Sequence, residues 1–140
     1  MSDIPPVLEF QTISERLRTF AFPEVHAVVG ILMGGMVPAA LVAQRLGKPL
    51  HYLQINYRAP DNSPQRPQAE LLKSVSIPQE LRRILIVDDV GVSGSTFAAA
   101  REALGGREVI TFAIKGRADL VLLPEVRGCV SWPWPRVERV

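Results

Sequence analysis

Short apolar runs alternate along the chain with polar stretches rich in glycine and proline, and the spacing of the apolar positions sets the expected elements. In residues 10–22, FQTISERLRTFAF, the residues Phe10, Ile13, Leu17 and Phe20 recur at helical spacing. Ser14 and Glu15 lie near the start of that helix and Pro23 stops it. A strand is expected over about 25–32, a glycine turn at 33–35, and a helix over about 37–46. Pro38 suits that helix's first turn and Gly47 closes it. Residues 49–57, PLHYLQINY, alternate and read as a strand. The stretch 58–68, RAPDNSPQRPQ, holds three prolines and an Asp-Asn pair, and is expected as a long loop, either a lid or a disordered connector. A returning strand over 69–76 follows, then a buried strand from Arg83 to Val87. A helix from Ser95 to Leu104 ends at Gly105-Gly106, and strands at Val109–Lys115 and Leu120–Leu123 complete the series.

Strands that alternate with helices and carry apolar runs imply a mostly parallel α/β sheet, covered by helices on both faces. Ligands of such sheets bind beyond the carboxyl ends of the strands. Two loops fall there, 33–36 and 88–95. No repeat and no linker interrupts the pattern, so one domain over residues 1–140 is expected.

Composition narrows this picture only a little. With 47% apolar and 21% charged residues, the chain is in the globular class. A net charge of +2 gives no reason to expect nucleic acid as a partner. The bases are thirteen Arg and three Lys, a balance that suits phosphate and carboxylate recognition as well as simple composition bias. The single cysteine, Cys129, builds neither a disulfide framework nor a zinc site, and MSDIPPVLEF has no signal-peptide pattern, so a cytoplasmic location is expected. His26 and His51 stand alone beside strands and are expected to be structural. Residues 25–43 carry no formal charge and are long enough for a membrane span. Gly34-Gly35 and Pro38 interrupt them, and strand, turn and helix account for them better.

The chemistry concentrates in ILIVDDVGVSGSTF, residues 84–97. A buried strand ends on Asp88 and Asp89, whose like charges repel and call for cations or hydroxyl donors. Gly91, Ser93, Gly94, Ser95 and Thr96 then lead into a helix. Glycines let amides converge, a helix N-terminus favours an anion, and the hydroxyls add donors. A capped turn needs only one such residue, whereas a sugar phosphate uses the whole run: its diol on the carboxylates, its phosphate in the cradle.

At these residues the chain resembles the type I phosphoribosyltransferases, whose signature stands here as IVDD-VGV-SGST. The resemblance implies a three-layer fold with a small C-terminal hood, and transfer of the phosphoribosyl group from phosphoribosyl pyrophosphate (PRPP) to a nitrogenous base. It implies catalytic roles for Asp88 and Asp89 at the ribose hydroxyls, and a PRPP loop of Val90, Gly91, Val92, Ser93, Gly94, Ser95 and Thr96. It also implies Mg²⁺, bound mainly through PRPP with Asp88 and Asp89 as the protein's metal-side carboxylates. GILMGGMVPAALVAQRLG, residues 30–47, is similar to the pyrophosphate loop and helix of bacterial xanthine and hypoxanthine enzymes, with Met33, Gly34 and Gly35 in that loop. Lys115, Cys129 and Val130 match base-binding positions, and VSWPWP resembles the aromatic-Pro-Trp ending of that subfamily. A 6-oxopurine is the expected acceptor, which would place the chain in purine salvage, and a homo-oligomer is expected. Arg58 and Arg66 would sit on the loop that closes over the site.

Three positions depart from the subfamily's pattern: Met33 replaces a basic residue, Val92 replaces an acid next to the phosphate loop, and Cys129 replaces a base-stacking aromatic. Valine accepts no proton, and losing a stacking ring typically costs about 1–3 kcal/mol per base. The sugar-phosphate end of the pattern is intact and the acceptor end is altered. The alternative is therefore a non-catalytic PRPP- or nucleotide-binding regulator on the same fold. A receiver domain also displays paired aspartates, but near its start, and too little chain follows Asp89 here.

Overall fold

The computed structural model describes residues 4–32, 34–56, 70–73 and 76–134. Met33, Arg58 and Arg66, expected at the site, lie outside them. In chain order the elements are α1 (Phe10–Thr19), β1 (Ala27–Leu32), α2 (Met36–Leu46), β2 (Leu50–Asn56), β3 (Glu70–Lys73), β4 (Arg83–Gly91), α3 (Ser95–Ala103), β5 (Glu108–Gly116) and β6 (Leu120–Val121). The sheet order is β3-β2-β1-β4-β5-β6. The five strands β2, β1, β4, β5 and β6 are parallel, and β3 pairs antiparallel at the β2 edge.

The alternation of side chains along the central strands builds two cores, one per face. Leu85 and Val87 of β4 and Phe112 and Ile114 of β5 pack with Ile13 and Leu17 of α1 and Ala39, Val42 and Ala43 of α2. Ile84 and Ile86, one residue out of phase, pack with Ala27, Val29 and Ile31 of β1 and with Phe97, Ala100 and Leu104 at α3. The sheet thus lies between α1 and α2 on one side and α3 on the other. Each fully buried Val, Leu, Ile or Phe side chain contributes roughly 1.5–3 kcal/mol, so these two layers dominate the stability.

The uncharged stretch 25–43 folds as β1, a glycine turn and α2, and no helix among the described residues is long and apolar enough to cross a membrane. Gly47 closes α2 in the left-handed conformation, φ 64°, and its amide bonds back into the last turn. The segment after β6 packs Leu122, Leu123, Val126, Val130, Trp132 and Trp134 on the α1/α2 side. Ser131 exchanges backbone hydrogen bonds with Pro6 and Leu8, which ties this segment to the chain before α1. The Trp132 and Trp134 rings stack with centroids 5.5 Å apart.

Most boundaries fall within a residue or two of the sequence expectation, and two of the differences change what a side chain does. Helix α1 ends at Thr19, with Phe20 already extended. Phe20 and Phe22 instead both reach Phe112 of the sheet, with ring centroids 5.4 Å away. Strand β4 does not stop at Val87. It continues through both aspartates to Gly91, because β5 keeps pairing with it: Asp88 with Ala113, Val90 with Lys115, Gly91 with Gly116.

Candidate active site

Because β4 runs on to Gly91, Asp88 and Asp89 obey the strand's two-residue period and leave it on opposite faces. Asp89 takes the phase of Leu85 and Val87, on the α2 side. Asp88 takes the phase of Ile84 and Ile86, on the α3 side. This separation eases the repulsion that adjacent like charges bring. Backbone donors add to it: the Asp89 amide donates to Asp88 Oδ1 at 2.8 Å, and the Val90 amide to Asp89 Oδ1 at 2.7 Å. Asp89 is buried, 5% exposed, and Asp88 is half-buried.

Gly34 is the immediate neighbour of Asp89. A β-carbon on Gly34 would stand 2.6 Å from each Asp89 carboxylate oxygen. The acidic strand end and the β1–α2 turn, 55 residues apart by number, therefore form one surface. Gly35 has a different task from Gly34. Its amide donates to the Ile31 carbonyl at 2.7 Å. A β-carbon on Gly35 would lie 2.5 Å from the Val87 carbonyl and 2.6 Å from that of Ile31. Gly35 thus turns its N–H toward β1 and lets the turn sit flat on β1 and β4.

Beyond Gly91 the chain turns through Val92, Ser93 and Gly94 into α3. Gly94 is the N-cap, at φ 83°, and has no side chain with which to cap the helix. Ser93 Oγ accepts the Ser95 amide at 3.3 Å. Thr96 and Phe97 head a first turn whose N–H groups have no intrahelical partners, which is the arrangement that receives anions. Val92, at the position of the missing acid, is 59% exposed.

The β5 end is brought against this loop by a pair of glycines. Gly91 and Gly116 are register partners, and a β-carbon on either would collide with backbone of the other strand's end: the Arg117 carbonyl for Gly91, the Gly91 carbonyl for Gly116. The Arg117 amide closes the seam on the Gly91 carbonyl at 2.8 Å. Lys115 stands beside Val90 at this edge. Cys129 is exposed in the segment after β6, and Val130 next to it packs on the core. His26 is structural, its Nδ1 accepting the Arg82 and Arg83 amides. Sequence reasoning missed Gly116 and Arg117, and also Gly30 and Tyr52 beneath the turn. A glycine inside the apolar run VVGIL was the available signal for the latter pair, since it marks close approach in a strand.

The structure thus collects Asp88, Asp89, Gly34, Gly35, the 92–96 loop and Lys115 along the carboxyl edge of three adjacent parallel strands. The phosphoribosyl transferase domain model matches residues 11–115, and the chain belongs to that family. It is 30% identical over 111 residues to the orotate phosphoribosyltransferase of Sulfurisphaera tokodaii, a match covering 77% of this chain and 52% of that one. It is 35% identical over 78 residues to the orotate phosphoribosyltransferase of Aeropyrum pernix, covering 56% and 37%. The chain therefore spans only about a third to a half of the length of these curated relatives. Among solved structures, the purine phosphoribosyltransferase of Pyrococcus horikoshii is similar in fold, with a TM-score of 0.66 over 96% of both chains and 19% identity. The xanthine-guanine-hypoxanthine enzyme of Helicobacter pylori gives a TM-score of 0.64 at 16% identity, over 88% of this chain and 86% of that one.

Proposed function

We propose that this chain transfers the phosphoribosyl group of PRPP to a ring nitrogen of a nucleobase. The bond from the anomeric carbon to pyrophosphate breaks, the new carbon–nitrogen bond forms, and the base gives up a proton. The observation that carries this reading is the contact of Asp89 with Gly34, which brings the acid we assign to the diol and the turn we assign to the diphosphate onto one surface. The α3 N-terminus at Gly94 to Thr96 takes the 5-phosphate, and Asp88 and Asp89 accept the ribose hydroxyls. Their negative charge also favours the positive charge that develops at the anomeric carbon. The turn after β1 receives pyrophosphate through Gly34 and the start of α2, since the Gly35 amide already serves Ile31.

Mg²⁺ fits this arrangement as a partner of the ligand. Among the described residues no group of three or more His, Cys, Asp or Glu side chains could hold an ion. PRPP oxygens would supply most of its ligands, with Asp88 and Asp89 as the nearby carboxylates. When bound, the ion neutralises charge on the leaving diphosphate.

For the acceptor we favour a 6-oxopurine, supported by Lys115 beside Val90 and by the Trp132-Pro133-Trp134 ending. The names of the curated relatives favour orotate as the second reading. Steady-state assays with PRPP, Mg²⁺ and hypoxanthine, guanine, xanthine, adenine or orotate separate the two. Turnover of orotate alone overturns the purine reading. No turnover with any base, together with PRPP binding by calorimetry, replaces the enzyme with a PRPP-binding regulator.

A further inference from the structure

We propose that Tyr52 is a positioning residue for the turn between β1 and α2, fixing the surface that meets the diphosphate of PRPP. The inference rests on the transfer reading above. Tyr52 of β2 is the register partner of Gly30 of β1. Gly30 offers no side chain, and the tyrosine ring fills the space: two ring carbons lie 2.8 and 2.9 Å from where a β-carbon would stand. Ala39 of α2 closes on the same point, its β-carbon 2.5 Å away. The ring is thereby clamped between β1 and α2. From there the hydroxyl donates to the Met36 carbonyl at 2.8 Å. Met36 is the first residue of α2 and follows Gly35 directly. One stiff side chain therefore runs from β2, across β1, to the residue that ends the turn.

The helix does not require this bond. A first-turn carbonyl already accepts the amide four residues on. What the bond adds is a fixed height for Met36 above the sheet, and with it the placement of Gly34 against Asp89. A phenol is a donor at neutral pH at its ordinary pKa of about 10, and burial shifts Tyr52 further in the same direction.

Tyr52→Phe tests this, since it keeps the clamped ring and removes only the hydroxyl. PRPP and pyrophosphate affinities, measured by calorimetry, should fall about fivefold, as expected for one neutral hydrogen bond. KM for the base should stay unchanged, as should the melting temperature to within a few degrees. Unchanged PRPP affinity in the variant, with normal binding by the wild type, overturns the positioning role and leaves the transfer reading standing. So does a lowered melting temperature with unchanged affinity, which is the mark of a merely structural tyrosine. If the wild type itself binds no PRPP, the transfer reading falls and this role falls with it.

Discussion

Asp89 lies across the bare α-carbon of Gly34, so that a single added methyl group would meet both of its carboxylate oxygens at 2.6 Å. Two segments far apart in the chain share this contact, and it admits no side chain. Asp89 is too buried to swing aside into solvent.

Gly34→Ala should therefore displace the carboxylate from the ribose, weaken PRPP binding and cut turnover by up to about a hundredfold, the loss in rate that a misplacement of about an ångström can bring. Calorimetry with PRPP reads the binding directly, and initial rates read the turnover. Adding Asp89→Ala to Gly34→Ala should restore melting temperature without restoring binding. Independent, additive effects of the two changes would mean that the contact is not what couples them.

Gly94 is constrained by conformation and not by space. It sits at φ 83° with nothing within 4 Å of a β-carbon. Gly94→Ala should cost about 1–2 kcal/mol of stability, the strain of an L-residue in the left-handed region. Because it shifts the first turn of α3, it should also raise KM for PRPP more than KM for the base. Thermal unfolding and initial rates give both numbers, and equal changes in the two KM values would remove the loop from the phosphate.

At Gly91 the obstacle is backbone. A side chain there runs into the Arg117 carbonyl, which has no alternative rotamer. Gly91→Ala should open the β4–β5 seam and destabilise the protein far more than Gly94→Ala does. Hydrogen exchange should show lost protection at the Arg117 amide, now bonded to the Gly91 carbonyl. Retained protection would show that the strand ends slide apart without cost.

Glu125 supplies a test by pH. Its pKa is lowered, chiefly by the hydrogen bond from Arg16, with Nη2 to Oε2 at 2.5 Å. A carboxyl whose folded pKa is depressed adds stability above its unfolded pKa and loses it as pH falls through the folded value. Glu125→Gln should thus melt below the wild type at pH 7. The gap should close as the pH drops below the ordinary carboxylate range, and it should be small throughout because the pair is exposed. A gap that persists in acid would assign the effect to something other than charge.

Much of this was legible in the sequence because it is local. Val28 and Val29 before paired glycines read as strand and turn, and residues 84–97 carried both halves of the proposed sugar-phosphate site in one stretch. What was not legible depends on partners distant in the chain. Two aspartates look like the end of a strand, and only the pairing of Val90 and Gly91 with Lys115 and Gly116 carries β4 past them. Phe20 fits the helical period of α1, but its packing on Phe112 takes it out of the helix. Tyr52 alternates correctly in β2, while its role depends on a register that places it over Gly30. The glycines at 34 and 35 looked equivalent; only the fold gives one to a carboxylate and the other to a carbonyl.

The divergence of Asp88 and Asp89 to opposite sides of β4 gives the two acids separate tuning knobs. A change in the helix layer behind one can move that carboxylate while its neighbour keeps its own setting. Repacking on one flank of the sheet can thus shift one carboxylate and leave the other where it stands, whichever of the two holds the sugar in the proposed reaction.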